Sequence, residues 1–404
     1  MSLIVQKFGG SSVADADRVR NVARIVTDTY KKGNDVVVVV SAQGDTTDDL
    51  IAKYKEIDPN ASEREKDMLL AAGEQISISL LAMAIQSMGC PAISLLGWQA
   101  GFRTSSHHTS ARIKKVDPTR IKNEIAKKNI VIVAGFQGID KHDDVTTLGR
   151  GGSDTSAVAI AAAMHADLCQ IFTDVEGVYT ADPRKVPGAI KLSEISYDEM
   201  LELATLGAQV LNNRSVELAK KYGIELEVLS SLTNKPGTIV KEHTKMEKLL
   251  ISGVAKDEDI VRISVTNIPD EPGLAFKLFS ILSAKNINVD IILQSIGRND
   301  TKDISFTVNK ENGQAAVDLL TDKFLSRYEN AKISMNDNVV KVSIVGSGME
   351  SHAGVATDMF EALYDANINI HMISTSEIKI SVLIRKEYAD KAVRILHDKF
   401  FSEN

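Results

Sequence analysis

Two glycine-rich segments contain the residues of this chain whose types and spacing could do chemistry. In the first, the apolar run Leu3-Ile4-Val5 leads into Lys7-Phe8-Gly9-Gly10-Ser11-Ser12. The backbone N–H groups of paired glycines can approach phosphate oxygens closely at the start of a helix, and a lysine ammonium can lie over the same oxygens. In a Walker A loop the lysine follows the last glycine instead. The segment therefore predicts a phosphate site of a different kind.

The second segment, Thr147-Leu148-Gly149-Arg150-Gly151-Gly152-Ser153-Asp154-Thr155, ends in an alanine-rich helical pattern. Arg150 offers a planar, bidentate donor that suits a carboxylate, while an aspartate after Gly-Gly-Ser is also an ordinary helix N-cap. Taken alone, a lysine before paired glycines is more often a solvated side chain at a structural turn. Two glycine turns framed by opposite charges favour phosphate handling over that interpretation.

Length and composition are those of an ordinary globular protein with more than one domain. A chain of 404 residues exceeds the size at which one core usually keeps growing. Its net charge of -7 argues against nucleic acid or an anionic membrane as the main partner, and no apolar run approaches membrane-spanning length. Cys90 and Cys169 lie in apolar segments, which favours buried thiols over a disulfide. We expect a cytoplasmic protein without nucleic-acid or membrane partners.

From the start to about Val240, short β-branched runs alternate with longer helical patterns. Such alternation predicts a largely parallel sheet covered on both faces by crossover helices. Ligands of such sheets lie beyond the carboxyl ends of the strands, where we expect both glycine-rich segments to begin. The predicted strands are Val36–Val40, Ala92–Leu96, Ile130–Val133, Leu168–Phe172 and Leu226–Leu229, and the predicted helices are Ala14–Lys31, Glu63–Met88 and Ser156–His165. Asn234–Thr238 and the charged residues up to Lys248 are typical of a linker.

The chain repeats itself beyond the predicted linker. Val261-Arg262-Ile263-Ser264-Val265 is similar to Val340-Lys341-Val342-Ser343-Ile344, and Ala284-Lys285-Asn286-Ile287-Asn288-Val289 is similar to Asp365-Ala366-Asn367-Ile368-Asn369-Ile370. The repeat is too long for a solenoid unit, so two homologous small domains are predicted. Each contains a strand, a glycine-bearing loop, a helix and further strands, which is a βαβ-type α+β unit. The predicted domains are residues 1–240, 241–335 and 336–404.

Over almost its whole length the chain resembles aspartate kinase, a family with an amino-acid kinase domain followed by two ACT domains. The motifs that carry the resemblance are Lys7 to Ser12, Ser41-Ala42 through Thr46-Thr47-Asp48, Ala72-Gly73-Glu74, Gly149 to Asp154, and Thr173-Asp174-Val175-Glu176-Gly177-Val178-Tyr179-Thr180-Ala181-Asp182-Pro183-Arg184. The resemblance implies a three-layer α/β/α domain with a mainly parallel sheet, followed by a tandem of α+β ACT domains.

The activity implied by the resemblance is transfer of the γ-phosphoryl group of ATP, with Mg²⁺, to the side-chain carboxylate of L-aspartate. This would be the first step of the lysine, threonine and methionine pathway. The acceptor carboxylate, with an unperturbed pKa of about 3.9, is ionised at neutral pH and needs no general base. The remaining problem is electrostatic, because an anion must approach a polyanion. Positioning and positive charge are the expected solution.

Site residues follow from the resemblance by position. Lys7 is the expected transition-state cation, and Asp154 is expected to fix its ammonium. Glu74 would bind the α-ammonium of the amino acid or order Arg150. The expected substrate-binding residues are Ser41, Thr47, Glu74, Arg150, Gly151, Gly152 and Ser153, and the expected ATP-binding residues are Lys7, Phe8, Gly9, Gly10, Thr173, Asp174, Tyr179 and Arg184. Two departures affect the nucleotide site, since some relatives have lysine in place of Gln209 and His-Pro in place of Asn212-Asn213.

ACT domains pair side by side and bind amino acids at their interface, which implies inhibition by lysine, threonine or both. The expected effector-binding residues are Asp270, Pro272, Gly273, Ala275, Asn288, Asp290, Gln294, Asn367, Ile368, Thr375 and Glu377. Several of these are also common turn formers. We expect a homodimer or higher oligomer through the ACT domains, and Met246 is placed where an internal start would give an ACT-only subunit.

Two other functions are compatible with parts of the chain. One is another amino-acid kinase acting on glutamate, acetylglutamate or a nucleotide, although such relatives generally lack paired ACT domains. The other is an amino-acid sensor that uses only the ACT pair. The charged residues Lys7, Glu74, Arg150 and Asp154 argue against a sensor, because a non-catalytic relic is free to lose them.

Overall fold

The computed structural model describes residues 2–206, 210–233, 235–244, 250–296, 301–328, 330–352 and 354–402. Gln209 and Met246, on which the sequence analysis made predictions, lie outside the described residues. The chain divides into two compact units. The first contains most residues up to 247, and the second contains most residues from 248 onwards together with Thr180–Ile190.

The first unit contains two sheets and their covering helices. Its strands are β1 (Leu3–Phe8), β2 (Asp35–Val40), β3 (Ala92–Leu95), β4 (Phe102–Thr104), β5 (Ile113–Val116), β6 (Ile130–Ala134), β7 (Gln137–Ile139), β8 (Val145–Thr147), β9 (Leu168–Thr173), β10 (Glu194–Ser196), β11 (Leu226–Ser230) and β12 (Thr238–Lys241). Its helices are α1 (Ala16–Lys31), α2 (Thr46–Ile57), α3 (Glu63–Leu70), α4 (Ala72–Ser87), α5 (Thr119–Ala126), α6 (Gly152–Met164), α7 (Tyr197–Thr205) and α8 (Asn213–Tyr222). The main sheet has the strand order β10-β12-β11-β9-β1-β2-β6-β3, and the small sheet has the order β5-β4-β7-β8.

The main sheet has helices on both faces. Its neighbouring strands run parallel, except that β11 and β12 are antiparallel. All five valines of β2 are buried, as expected for a strand covered on both sides. Val36, Val38 and Val40 pack with α1 and α4, while α6 contacts β1, β2 and β9 and covers the other face. The predicted three-layer α/β/α fold is confirmed.

The second glycine-rich segment does not begin at the main sheet, so that prediction is wrong. The segment follows β8, a strand of the small sheet, and leads into α6. β4, β7 and β8 have only three residues each, which is too short to show an alternating pattern in the sequence. The helix nevertheless returns the segment to the main sheet. A Cβ on Gly135, directly after β6, would lie 2.7 Å from the Ser153 Oγ.

The predicted linker is wrong at its end, because Thr238 begins β12 in the main sheet. Thr238 is fully buried. Its hydroxyl donates to the Leu192 carbonyl at 2.6 Å and accepts from the Val178 N–H at 2.9 Å. Gly237 has no space for a side chain, since a Cβ would lie 2.1 Å from the Val228 carbonyl oxygen. The Pro-Gly sequence here leads into β12 with its backbone packed against β11, and it is not a free linker.

The predicted helix Glu63–Met88 is two helices, α3 and α4, that meet at Ala71. Together they are long and apolar enough to cross a membrane by length and composition, but half of the apolar window is buried inside the protein. Ile78, Leu81 and Ile85 belong to the same core as β2. The apolar composition is therefore that of a core helix.

The second unit contains two antiparallel sheets with two helices each among its described residues. Its strands are β13 (Gly253–Asp257), β14 (Ile260–Pro269), β15 (Ile292–Ile296), β16 (Thr301–Asn309), β17 (Lys332–Asn336), β18 (Val339–Val345), β19 (Met372–Thr375) and β20 (Lys379–Arg385). Its helices are α9 (Leu274–Ser283), α10 (Gly313–Lys323), α11 (Val355–Asp365) and α12 (Ala389–Phe401). The sheet of the first copy has the order β15-β16-β14-β17, and that of the second copy has the order β19-β20-β18-β13.

One edge strand of the second copy's sheet, β13, comes from a distant part of the sequence. In the first copy, β17 pairs antiparallel with β14 and follows it along the chain. The equivalent place beside β18 is occupied by β13, which precedes the whole first copy. Residues 253–257 thus differ from the predicted division, which assigns them to the first ACT domain. The similarity between the copies begins after β13, so the repeat gave no information about this strand.

The repeated asparagine motif has a structural explanation. Asn286 and Asn367 have φ values of +56° and +57°, in the left-handed region, where asparagine is tolerated better than most residues. Each stands just after a helix, and the N–H groups of the next residues, Ile287 and Ile368, donate to Leu282 and Leu363 carbonyls at 3.1 and 2.9 Å. The motif therefore terminates equivalent helices in the two copies.

Residues Thr180–Ile190 fold with the second unit although their sequence lies between elements of the first. Ala181 and Val186 are buried in the core of the second copy. The Thr180 Oγ1 lies 2.9 Å from the Nε2 of His397 on α12, and both side chains are buried. The chain thus leaves the first unit after Tyr179 and returns to it at Lys191.

Candidate active site

An ion pair between Lys7 and Asp154 joins the two glycine-rich segments. Lys7 lies near the end of β1, whose neighbours β2 and β9 run level with it at Phe8, and Asp154 lies in the first turn of α6. The Lys7 Nζ is 2.7 Å from the Asp154 Oδ1, and each side chain is only 12% exposed. The structure therefore brings the two residues predicted to be catalytic into contact, at the carboxyl ends of the central parallel strands.

The glycines after Lys7 pack closely on both sides. A Cβ on Gly9 would lie 3.3 Å from the Lys7 Nζ, and a Cβ on Gly10 would lie 2.7 Å from the Ala42 carbonyl oxygen. Gly10–Val13 form a 3-10 helix, and α1 begins only at Ala16. The glycine pair thus precedes a single tight turn, whereas the sequence predicts the start of an α-helix. Bare backbone here lies between the Lys7 ammonium and the loop after β2.

Glu74 is a buried carboxylate that holds the same loop. It is 3% exposed, and its Oε1 accepts a hydrogen bond from the Ala42 N–H at 3.0 Å. Its Oε2 has no hydrogen-bond partner among the described residues. Burial raises the pKa of Glu74 to about 7, because the charged form is poorly solvated there. Such a group favours a ligand that brings a positive charge.

Arg150 is flanked by two glycines in the left-handed conformation. The φ values are +77° at Gly149 and +69° at Gly151, and a Cβ on Gly151 would lie 2.2 Å from the Asn212 Nδ2. Asn212 accepts a hydrogen bond from the Arg214 N–H at 3.0 Å and donates one to the Arg150 carbonyl at 3.2 Å. The Arg150 side chain is exposed. Its backbone is thus held in place while its guanidinium is accessible to a ligand.

The other predicted substrate residues lie on loops and first helical turns of the first unit. Ser41 follows β2, and its N–H donates to the Phe8 carbonyl at 3.1 Å. Thr47 is half-buried in the first turn of α2. Gly152 and Ser153 are buried in the first turn of α6, beside Asp154. These positions surround the loops that Lys7 and Glu74 contact.

Of the four predicted nucleotide side chains outside the Lys7 loop, three belong to the first unit. Thr173 ends β9, and its hydroxyl donates to the Asp174 carboxylate at 3.0 Å. The Tyr179 hydroxyl lies 3.5 Å from the Glu176 Oε2, and burial raises the pKa of Tyr179. Arg184 belongs to the second unit, where its guanidinium pairs with Asp182 at 3.0 Å.

Two carboxylates predicted to bind an effector are already paired with lysines of the second unit. Asp270 pairs with Lys302 at 2.5 Å. Asp290, in the first copy, pairs at 2.5 Å with Lys341 of β18, whose side chain is only 4% exposed. An effector ammonium at Asp290 would thus share or replace an internal ammonium.

The remaining predicted effector positions differ in exposure. Gly273 is the left-handed residue before α9, with φ of +87°. Ile368 is buried in the core of the second copy, so its side chain packs inside the protein. The half-buried or exposed positions are Pro272, Ala275, Asn288, Gln294, Asn367, Thr375 and Glu377.

Arg214, a residue with no predicted role, holds the backbone just before Arg150 in place. Its guanidinium donates to the Leu148 carbonyl at 2.6 Å and to the Ala111 carbonyl at 3.1 Å. Burial and the neighbouring Arg112 lower its pKa. Nothing in the sequence marks this residue, whereas an asparagine just before a helical pattern, as at Asn212, is an N-cap signal.

A cavity of about 550 Å³ lies elsewhere in the first unit, between α6, α8 and β5. It is lined by Arg112, Lys114 and Lys221 among others, and by neither Lys7 nor Glu74. Thr155 and Arg214 also line it, so the cavity adjoins the residues next to Asp154 without including the ion pair.

The contacts from Lys7 through Gly10 and Ala42 to Glu74 form one continuous site that joins a shielded ammonium to a buried carboxylate. This fold and site define an amino-acid kinase with regulatory domains. Residues 2–230 match the amino acid kinase family, and residues 261–324 and 342–400 match the ACT domain. The chain belongs to the aspartokinase family, whose members are ATP-dependent kinases. The family that the sequence motifs indicated is confirmed.

Relatives match the chain over nearly its full length. The aspartokinase of Mycolicibacterium smegmatis is 50% identical over 406 residues, covering 99% of this chain and 96% of the relative. That of Geobacillus stearothermophilus is 49% identical over 401 residues, covering 99% and 97%. Among solved structures, E. coli aspartokinase III in complex with aspartate and ADP is 25% identical, with a TM-score of 0.84 over 99% of this chain and 100% of that one.

The close fit at Gly151 predicts a difference between two glycine-to-alanine variants. Gly223 also has a positive φ, of +64°, but a Cβ there would meet nothing within 4 Å. Gly223→Ala should cost about 1 to 2 kcal/mol of stability through its backbone conformation and leave kinase activity unchanged. Gly151→Ala should in addition displace Asn212 and Arg150, and lower kcat/KM about 10²-fold, as misplacement by about 1 Å does.

Thermal unfolding and steady-state assays of both variants check this expectation. Equal activity of the two variants would show that the packing of Asn212 against Gly151 does not set the position of Arg150.

Proposed function

We propose that this chain transfers the γ-phosphoryl group of ATP to the side-chain carboxylate of L-aspartate, giving 4-phospho-L-aspartate and ADP. The reaction is the first step towards lysine, threonine and methionine, and takes place in the cytoplasm. The E. coli relative was solved with aspartate and ADP, which supports the same pair of ligands here.

The observation that carries the proposal is the ion pair between Lys7 and Asp154. The acceptor carboxylate is ionised at neutral pH, so the barrier arises from bringing an anion to a polyanion. A cation placed where charge develops lowers that barrier, and it acts more strongly when shielded from water. The Lys7 ammonium is so shielded, being 12% exposed. Asp154 holds it in place, 2.7 Å away.

The acceptor amino acid is recognised by the charges of the second segment and of α4. Arg150 binds its α-carboxylate in a bidentate manner. Glu74 binds its α-ammonium through Oε2, which has no hydrogen-bond partner among the described residues. Further hydrogen bonds come from Ser41, Thr47 and Ser153, with Gly151 and Gly152 giving close access of the backbone.

The nucleotide lies along the carboxyl ends of β1 and β9. Thr173 ends β9, which pairs directly with β1. Asp174 follows it, and Tyr179 lies further along the same loop. Phe8, Gly9 and Gly10 adjoin the phosphates.

Mg²⁺ enters with ATP in this proposal. The described residues contain no group of three or more His, Cys, Asp or Glu side chains that could hold a metal ion. Mg²⁺ usually keeps several waters and is bound through substrate phosphates with one or two carboxylates, so the residues present fit a metal carried by the nucleotide. Bound there, it neutralises charge on the transferring group.

Lysine, threonine or both inhibit the enzyme by binding the ACT domains more tightly in an inactive state. Inhibition then equals the difference in affinity between two states. E. coli aspartokinase III was solved with lysine and aspartate in a T-state, which supports this kind of control. The ACT domains form a homodimer or higher oligomer, and an ACT-only subunit starting at Met246 belongs to the same proposal.

The reaction is tested by measuring ADP release with aspartate, glutamate and acetylglutamate. Aspartate alone should be turned over, and Lys7→Met should lower kcat by at least about 10²- to 10³-fold, as loss of one charge-stabilising donor does. Lys220→Met is the matched control, because Lys220 is paired with Asp198 at 2.6 Å on the surface of the same unit. It should keep wild-type activity.

Circular dichroism establishes that both lysine variants are folded. Turnover by Lys7→Met at the wild-type rate would remove Lys7 from its role, and preferred turnover of glutamate or acetylglutamate would replace the proposed substrate.

The pKa of Glu74 predicts a pH dependence. Below a pH of about 7 the carboxyl group is neutral in the free enzyme and does not attract the α-ammonium of aspartate. The value of kcat/KM for aspartate should therefore rise with pH through this region, since this parameter reports the free enzyme. In Glu74→Gln this rise with pH should disappear, and kcat/KM for aspartate should stay low at every pH. An unchanged pH profile in this variant would contradict the assignment.

The regulatory proposal predicts that lysine, threonine or their mixture inhibits aspartate turnover. Asp290→Ala should raise the half-inhibitory concentration at least about tenfold, the loss expected for one charge-assisted contact. Each variant is compared with its own uninhibited rate. Asp322→Ala, an exposed position on α10, is the control and should be inhibited like the wild type. Equal sensitivity of both variants would exclude Asp290 from the effector site.

A further inference from the structure

Asp67 on α3 is a fully buried carboxylate that accepts hydrogen bonds from the Thr109 loop and from the end of β8. Its oxygens accept from the Thr109 N–H at 2.9 Å and from the Thr147 N–H at 3.0 Å. The Thr147 hydroxyl donates at 2.5 Å, and the His108 Nδ1 lies 3.0 Å away. Two carboxylate oxygens offer about four acceptor sites, so this set of donors occupies them. A buried carboxylate is retained only where such partners compensate its lost hydration.

These hydrogen bonds fix a strained loop. Thr109 has φ of +61°, which is unfavourable for a β-branched residue. Such a conformation persists only where the surroundings impose it. The Asp67 carboxylate binds the N–H of this very residue and the ring of the preceding one, so it supplies that constraint.

The loop that contains Thr109 lies directly against the chain leading to Arg150. The Thr147 carbonyl accepts from the Ala111 N–H at 2.9 Å, and a Cβ on Gly149 would lie 3.1 Å from the Thr109 carbonyl oxygen. A shift of residues 109–111 therefore displaces residues 147–149 and changes the position of Arg150.

Asp67 and Glu74 are seven residues apart, which is about two helical turns. Ala71 between them keeps right-handed helical φ and ψ values of -62° and -16°, so both carboxylates lie on the same side of the α3–α4 pair. Glu74 holds the loop at Ala42, and Asp67 holds the loop at Thr109 and the end of β8 at Thr147. The α3–α4 pair thus fixes the positions of the Ala42 loop and the Thr109 loop relative to each other.

From this we infer that Asp67 is a positioning residue for recognition of the acceptor amino acid. It acts through His108, Thr109 and Thr147 on Arg150, and it does not touch the substrate itself. The inference rests on the proposed function, because it concerns the site that would bind the α-carboxylate of aspartate. It assigns no role to Asp67 at the nucleotide.

The test is a comparison of two KM values in Asp67→Asn. The amide has one acceptor oxygen, so its NH₂ group would face an N–H donor at Thr109 or Thr147. The KM for aspartate should rise about 10-fold or more, the effect of one unsatisfied buried group, whereas the KM for ATP should change less than about twofold. Thr147→Val removes one hydroxyl donor and keeps the hydrogen bond from the N–H group. It should raise the KM for aspartate by a smaller factor, again without changing the KM for ATP, and it provides the test if Asp67→Asn does not fold.

Glu124→Gln is the matched structural control. Glu124 is a helix carboxylate whose side chain is 4% exposed, and it accepts from the Lys127 Nζ at 3.1 Å and the Asn129 Nδ2 at 2.9 Å. This variant should lose thermal stability as Asp67→Asn does and keep the wild-type KM for aspartate. A rise of both KM values together in Asp67→Asn and Thr147→Val, or the same rise in Glu124→Gln, would overturn the inference and leave Asp67 a purely structural residue.

Wild-type turnover of aspartate is measured first. Its absence would refute the proposed reaction and this inference together. Normal wild-type turnover with an unchanged KM for aspartate in Asp67→Asn and Thr147→Val would refute the inference alone.

Discussion

The ion pair between Lys7 and Asp154 constrains how β1 and α6 pack against each other in the first unit. An ammonium that is almost excluded from water needs a fixed anion beside it, because an unpaired buried charge is strongly destabilising. That anion comes from α6, so β1 and α6 must meet at a defined distance. Glycines let each segment pack closely on its own neighbours, since a Cβ on Gly10 would overlap the Ala42 carbonyl oxygen and a Cβ on Gly151 would overlap Asn212.

Two buried carboxylates near this pair differ in how fully their oxygens are hydrogen-bonded. Asp67 is saturated by donors from its own chain, and such a group fixes geometry. Glu74 has an unused oxygen and a pKa raised to about 7, and such a group responds to a ligand. Both sit on the α3–α4 pair, which also contributes Leu81 and Ile85 to the core. Glu74 is thereby connected to the core that also contains the valines of β2.

Much of this could be predicted from the sequence. The five β-branched runs gave strands of the main sheet because fully buried parallel strands have continuous apolar sequence, and the glycine motifs located Lys7, Arg150 and Asp154. The small sheet was not predicted, since three of its four strands have only three residues, too few to show an alternating apolar pattern. Arg214 and Asp67 were also missed, because their roles come from contacts with backbone groups up to 103 residues away. Local sequence contains no trace of such partners.

The strand β13 gives the second unit an unusual order of assembly. A ribosome completes β13 before the entire first copy, yet its pairing partner β18 emerges only after that copy is finished. The same holds more strongly for Thr180–Ile190, which are synthesised earlier still and whose Ala181 and Val186 are buried with the second copy. Both segments are thus synthesised before the residues among which they are buried in the folded protein. The first copy has all four of its strands within residues 260–336, whereas the core of the second copy, which includes Leu396 of α12, is complete only after α12 has been synthesised.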